Sequence, residues 1–394
     1  MIKNDGAHAR ARKKILAIFG TRPEAIKMAP LVNSLREQTE GFDLRILVTA
    51  QHREMLDQVL ALFQLKPDYD LNIMAEGQAL TGIMVQDLQG ITPVLTKEAP
   101  DLVLVHGDTS TTLAGALAAY YQQIPVAHVE AGLRTYHPYS PFPEEMNRRL
   151  TGALAEDHFA PTAEARQNLL REGIPAERIM VTGNTVIDAL LSVASRPDLA
   201  LPDEVQRIPP SRRVVLVTTH RRENLDGGLR QVYLGIKDLI QEFSDVEVVF
   251  PMHLNPKVRT EACGVLGDLP RVHLLGPLAY ERFVAVMRRA FLVLTDSGGI
   301  QEEAPALGKP VLVLRDTTER PEAVAAGTVR LIGTEREKVY TETRNLLCDK
   351  QAYQRMAEAK NPYGDGKAAR RITDYLLWKY GFLRCRPEEF QAQS

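Results

Sequence analysis

The sequence predicts an α/β protein made of two doubly wound parallel-sheet domains that face each other across a cleft. Three observations carry that prediction. The chain has 394 residues, more than one ordinary core accommodates, so two domains are expected. Short apolar runs alternate throughout with longer amphipathic stretches, the pattern of parallel strands joined by right-handed helical crossovers. Residues 196–211 (RPDLALPDEVQRIPPS) break the alternation with proline and charge, and it restarts beyond them.

In the first half, residues 1–12 read as a polar, basic, disordered lead-in without the apolar stretch of a secretory signal. KKILAIF (13–19) is a strand, and Pro23 pre-sets the first turn of a helix running to about 38. Strand 42–50, helix 54–63, a short strand within 68–71 and a helix over 80–97 follow. DLVLVHG, a helix over 111–122 and IPVAHVE continue the series, and DHFAPT and RIMVTG flank a helix over 163–172. These make a first domain over 13–185. The helix beginning at 186 and the proline-rich segment form the connection. The second domain, 186–366, repeats the scheme: RVVLVTTH, a helix after Asn224, VEVVFPMH, a helix after Pro256, VHLLGP, a helix over 280–290, FLVLTDSGG, a short helix, PVLVLR, a helix near Pro321, and VRLIG. A last helix, 367–380, holds the sole tryptophan, Trp378.

Composition narrows the function classes. Hydrophobic residues make up 44%, charged residues 25%, and net charge is −2, a soluble-protein profile with no global field for nucleic acid or an anionic membrane. Cys263, Cys348 and Cys385 lack disulfide or metal-site spacing, which fits a reducing, cytoplasmic setting. No apolar run reaches transmembrane length.

The candidate chemistry lies at strand ends, where open α/β sheets keep their ligands. Asp108 and Glu130 each follow an apolar run, and Glu144 opens a helix. Each carboxylate is either a helix cap or an acid–base group. Residues 291–314 predict a strand ending at Thr295, a tight turn of Ser297, Gly298 and Gly299, and a short helix from about Ile300 to Gly308. Bare glycine amides at a helix start suit an anion, and Glu302 and Glu303, one turn in, suit ribose hydroxyls. Arg22 and Lys27, at another strand-to-helix turn, suit a diphosphate. His220 ends a strand at the carboxyl edge, facing the cleft, and His253 ends the next strand. His106 and His128 read as satisfied, partly buried histidines. A metal site from His106, Asp108, His128 and Glu130 lacks a ligand spacing, and no metal is expected. Residues 318–322 (TERPE) are a capping segment or a second ligand-facing loop. The absence of G-x-G-x-x-G and of G-x-x-x-x-G-K-[ST] argues against a nicotinamide cofactor and a P-loop.

These stretches resemble a known family. FGTRPEAIKMAP, TAQHREMLDQV, VHGDT, HVEAGLRT, PEEMNRR, VTGNTVIDAL, THRREN, MHLNP and DSGGIQEEAPALGKPVLVLRDTTERPEA occur in the order seen in the non-hydrolysing UDP-N-acetylglucosamine 2-epimerases, over about residues 13–380. The resemblance implies a glycosyltransferase-B-like fold of two Rossmann-like halves, with a C-terminal helix (about 367–384) crossing back to the first. It implies interconversion of UDP-GlcNAc and UDP-ManNAc in a homodimer, without cofactor, for cell-surface polysaccharide synthesis. Asp108, Glu130, Glu144 and His220 match the family's catalytic positions. Arg22, Lys27, Ser297, Gly298, Gly299 and Glu303 match its UDP-binding positions. Gln51, Arg221 and His253 fall in motifs tied to activation by a second UDP-GlcNAc, although residues 75–77 (AEG) have no arginine where some relatives carry one. The implied reaction is elimination of UDP to 2-acetamidoglucal followed by re-addition. The competing readings are a glycosyltransferase of the same fold using a UDP-sugar donor, a sugar-nucleotide-binding regulator, and a hydrolysing epimerase.

Overall fold

The structure is a computed structural model and describes residues 11–50, 53–73, 78–221, 224–225 and 227–392. The chain forms two compact units, one of residues up to 189 together with 366–391, the other of residues 190–365.

The first unit is a seven-stranded parallel sheet. Its strands are β1 (Lys13–Phe19), β2 (Phe42–Val48), β3 (Tyr69–Asp70), β4 (Leu102–His106), β5 (Val126–Val129), β6 (Asp157–Ala160) and β7 (Ile179–Val181), in the order β3-β2-β1-β4-β5-β6-β7. Ile15 to Phe19 of β1 have no exposed surface, as a central strand covered on both faces requires. The helices are α1 (Arg22–Arg36), α2 (Arg53–Leu62), α3 (Leu80–Glu98), α4 (Ser110–Tyr121), α5 (Glu144–Leu154), α6 (Ala163–Arg171) and α7 (Thr185–Ala194), the last carrying the chain into the second unit. Alanine-rich α4 packs between α3 and α5, so even its threonines Thr111 and Thr112 are buried.

The second unit is a six-stranded parallel sheet of β8 (Arg213–Thr218), β9 (Val246–Pro251), β10 (Val272–Leu275), β11 (Leu292–Thr295), β12 (Val311–Val313) and β13 (Val329–Leu331), ordered β10-β9-β8-β11-β12-β13. Its helices are α8 (Asp203–Gln206), α9 (Gly228–Glu242), α10 (Pro256–Leu266), α11 (Tyr280–Arg289), α12 (Gly298–Ala306), α13 (Pro321–Ala325), α14 (Arg336–Cys348) and α15 (Lys350–Ala357). Helix α16 (Ala368–Lys379) returns to the first unit and packs on α1, where Thr373 donates to Ser34 Oγ at 2.8 Å.

The structure departs from the sequence reading in three places. The proline-rich connection, aperiodic in sequence, contains α8. Strand β8 stops at Thr218, two residues short of His220. Helices α14 and α15 have no counterpart in the reading. The buried stripe of α14 is Val339, Thr343, Leu346 and Leu347, and the threonine weakens its apolar signal.

In each sheet the strand order reverses beside the first strand, between β1 and β4 and between β8 and β11. That switch point, at the carboxyl ends of the strands, is the ligand position of doubly wound folds.

Candidate active site

At the first switch point, strand register decides which side chains meet. His106 of β4 is level with Val129 of β5, and the Gly107 amide donates to Val129 O at 2.9 Å. The next residue along each strand, Gly107 and Glu130, therefore leaves the sheet side by side. Glu130 has φ +61°, a left-handed backbone that few non-glycine residues adopt. Its carboxylate accepts from Lys27 Nζ and from Asn184 Nδ2, the latter at 2.8 Å. Lys27, read in sequence as a diphosphate ligand, thus lies on Glu130. Asp108 pairs with Arg148 of α5, and its carbonyl accepts from Asn147 Nδ2 at 2.9 Å. Arg148 also reaches the buried Glu145 at 3.3 Å. Glu145 accepts the amides of Thr135 and Tyr136 at 3.0 and 3.1 Å and so pins the loop before α5. Its neighbour Glu144 has one buried oxygen, Oε2, with no hydrogen-bond partner. Arg22 is the first residue of α1 and half-buried.

The two strand histidines divide. His128 Nε2 lies 2.7 Å from Gly107 O, and burial pushes its pKa down to about 3. His106 is not the satisfied histidine expected. It is buried, neither ring nitrogen has a hydrogen-bond partner, and Nε2 sits 3.8 Å from Glu130 Oε2. Burial lowers its pKa to about 4, further than the nearby Glu130 charge can restore. Among the described residues no three His, Cys, Asp or Glu side chains converge as metal ligands.

Behind these loops lies a polar cluster that the sequence reading leaves out. Glu24 of α1 accepts the Gly20 and Thr21 amides at 3.1 and 2.7 Å and the Thr109 and Thr112 hydroxyls at 2.7 and 3.0 Å. Burial raises its pKa against the pull of those bonds. Asp87 of α3 is fully buried and rises to about 7, through burial and then the charge of Glu24, with Thr111 opposing.

At the second switch point, buried Asp296 after β11 organises the end of β8. It accepts the His220 and Arg221 amides at 3.0 Å and Asn224 Nδ2 at 3.2 Å, and lies 2.9 Å from His220 Nδ1. Burial works to raise its pKa, but the His220 side chain and these amides hold it below the usual carboxylate range. A proton held on Nδ1 by that carboxylate leaves Nε2 for a ligand. The His253 ring lies 5.9 Å from that of His220, centroid to centroid.

Ser297 is the N-cap of α12, and its side chain makes no cap hydrogen bond. Gly298 and Gly299 are the first helical residues rather than a preceding turn. Their amides therefore belong to the first turn, whose N–H groups lack intrahelical partners. A Cβ on Gly298 would stand 3.6 Å from Arg221 Nη2 and 4.0 Å from Arg320 Nη2, so two guanidinium groups border this helix start. Glu302 is ion-paired with Arg320, and its neighbour Glu303 accepts from Tyr280 OH at 2.9 Å. The TERPE segment supplies Glu319 as well, which burial would raise but the Arg315 guanidinium holds at about 2. Gln51 and residues 75–77 lie outside the described residues.

The comparisons with known proteins agree along nearly the whole chain. A family model described as UDP-N-acetylglucosamine 2-epimerase matches residues 34–377. The chain is 55% identical over 371 residues to the UDP-N-acetylglucosamine 2-epimerase of Escherichia coli, covering 92% of this chain and 98% of that one. It is 53% identical over 384 residues to the Bacillus subtilis enzyme, covering 96% and 99%. Among solved structures, UDP-GlcNAc 2-epimerase from Neisseria meningitidis bound to UDP-GlcNAc is similar at 50% identity and a TM-score of 0.85, covering 93% and 100%. On sequence and fold together, the chain belongs to the UDP-N-acetylglucosamine 2-epimerase family.

Proposed function

We propose that this protein catalyses reversible epimerisation at C2 of UDP-GlcNAc to UDP-ManNAc, eliminating UDP to 2-acetamidoglucal and adding it back. The observation that carries this reading is family membership along nearly the full chain.

The chemistry follows from the weak acidity of the C2 proton. A base removes it while the C1–O bond breaks. The C–H electrons become the C1–C2 double bond, and the C1–O pair leaves on the diphosphate oxygen. In the return step that oxygen attacks C1, and an acid protonates C2 on the opposite face. Two acid–base groups and a cradle for the departing charge are needed. Asp108, Glu130 and Glu144 are assigned the proton transfers. Three placements support this: the Arg148 pairing of Asp108, the Lys27 and Asn184 contacts of Glu130, and the unpartnered oxygen of Glu144. Ser297, Gly298, Gly299 and Glu303, with Arg22 and Lys27, are assigned to UDP, and His220 to the leaving diphosphate. The first-turn amides of α12 and the Asp296–His220 pair support those roles. The finer reading adds a cytoplasmic homodimer, and activation by a second UDP-GlcNAc near Gln51, Arg221 and His253. It fits that the His253 ring lies beside that of His220.

The test is incubation with UDP-GlcNAc in D2O followed by NMR. UDP-ManNAc with deuterium at C2 is expected. Asp108→Asn, Glu130→Gln and Glu144→Gln are each expected to slow it on the order of 100-fold. No exchange at C2 refutes the reaction, and three variants at wild-type rate refute the residue assignment. A glycosyltransferase of this fold would instead need an acceptor and leave C2 unlabelled.

A further inference from the structure

We infer that Glu24 is a positioning residue for the reaction: its single carboxylate ties the loop that carries Arg22 to the loop that carries Asp108. The inference rests on the proposed roles of those two residues.

The geometry separates two functions of one side chain. Oε2 accepts the Gly20 and Thr21 amides, and Thr21 in turn caps the Glu24 amide. This is a capping box, and it accounts for a Glu at the third position of a helix. It does not account for Oε1, which turns away from α1 and takes the hydroxyls of Thr109 and Thr112, 85 and 88 residues distant in sequence. Thr109 directly follows Asp108 and is the N-cap of α4, accepting the Thr112 amide at 3.1 Å. One buried carboxylate therefore joins the starts of two helices at the switch point between β1 and β4. Arg22 stands on one of them, and Asp108 precedes the other.

The surroundings leave the joint little freedom. A Cβ on Gly20 would fall 2.1 Å from Thr49 Oγ1 and 2.6 Å from Thr111 Oγ1, so the loop backbone rests on that hydroxyl pair, itself bonded at 2.8 Å. Thr111 lies 3.4 Å from Asp87 Oδ2. A run of side-chain oxygens, from Thr49 through Thr111 to Asp87, thus links the loops after β1, β2 and β4 to α3. Two amides and the Thr109 hydroxyl donate to Glu24, and the Thr112 hydroxyl is shared between Glu24 and His106 O, so both carboxylate oxygens are used.

Thr109→Val, Thr109→Ser and Glu24→Ala test the joint, with thermal melts to confirm folding. UDP-GlcNAc turnover gives kcat and KM, UDP titration gives Kd, and hydrogen exchange is followed in segments 20–27 and 105–113. Thr109→Val takes the Thr109 hydroxyl from the arm toward Asp108, along with the N-cap of α4, and leaves the arm toward Arg22 in place. Its kcat is expected to fall about tenfold, as misplaced catalytic groups do, with KM and the UDP Kd within about threefold. Thr109→Ser keeps the hydroxyl and is expected within about twofold of wild type. Glu24→Ala removes both oxygens and so cuts both arms, and exchange is expected to accelerate in both segments and UDP to bind more weakly. A purely structural role would lower the melting temperature and leave kcat per folded molecule unchanged, and that result overturns the inference. So does acceleration confined to segment 20–27, which would mean Glu24 only caps its own helix. Hydrogen exchange reads the joint without turnover. An inactive wild type would therefore refute the proposed reaction and leave the joint to be decided by the exchange data.

Discussion

Asp87→Asn is predicted to remove a loss of stability that the protein otherwise suffers as pH rises from about 4 to 7. Asp87 has no exposed surface, and burial, then the charge of Glu24, lift its pKa from an ordinary 3.8 to about 7. The folded state therefore binds this proton more tightly than the unfolded chain. Stability from the protonated group is full below pH 3.8 and falls as pH rises toward 7. A full pH unit in that interval is worth about 1.4 kcal/mol, less close to pH 7 where the group is half ionised, so between pH 5 and 7 the wild type should lose about 2 kcal/mol through this group. Asparagine carries no such proton and keeps the shape and the acceptor for Thr111. The stability of the variant relative to wild type should rise by that amount over the same range. Trp378, the only tryptophan, lies in the same unit as Asp87, so its fluorescence during urea unfolding at pH 5, 6, 7 and 8 reads the difference directly. Parallel stability curves for the two proteins would refute the reasoning, and so would a difference growing toward acid.

Asp296→Asn should free the His220 ring while leaving a neutral group able to meet part of the backbone. Turnover per folded molecule is expected to fall on the order of tenfold or more, with a lowered melting temperature because one buried acceptor is lost, and an unchanged kcat would show that the ring needs no such anchor. Gly20→Ala should cost about 2 kcal/mol of stability, since its Cβ would meet Thr49 and Thr111 inside a packed polar cluster. Gly82→Ala in α3 faces open space and should be neutral or stabilising by about 0.5–1 kcal/mol; equal melting temperatures for the two variants would contradict both.

The strands were readable because parallel strands covered on both faces leave near-continuous apolar runs, as KKILAIF does for β1. Their ends were less so. The stretch from Thr218 to His220 reads as one run with β8, yet the amides of His220 and Arg221 are held by the Asp296 side chain, not by a neighbouring strand. The carboxylates and glycines at strand ends are conspicuous in sequence. Their partners are not: Arg148 for Asp108, Asn184 for Glu130 and Asp296 for His220 lie 40, 54 and 76 residues away, and spacing carries no sign of such contacts. Glu24 is half legible. Thr21-x-x-Glu24 spells a capping box, but only the crossover between β1 and β4 brings Thr109 to its second oxygen. His106 could not be judged from its strand, because whether a buried ring finds a partner depends on what neighbouring strands offer.

The backbone of Glu130 has a consequence for how this protein can change. A left-handed φ of +61° costs a side-chain-bearing residue on the order of 1 kcal/mol or more, and glycine or asparagine would sit there more comfortably. Selection for heat tolerance alone would favour replacing it, and the replacement would remove the carboxylate that Lys27 and Asn184 hold. Stability and turnover therefore pull this one position in opposite directions, and a thermostable descendant would have to find its gains elsewhere in the chain.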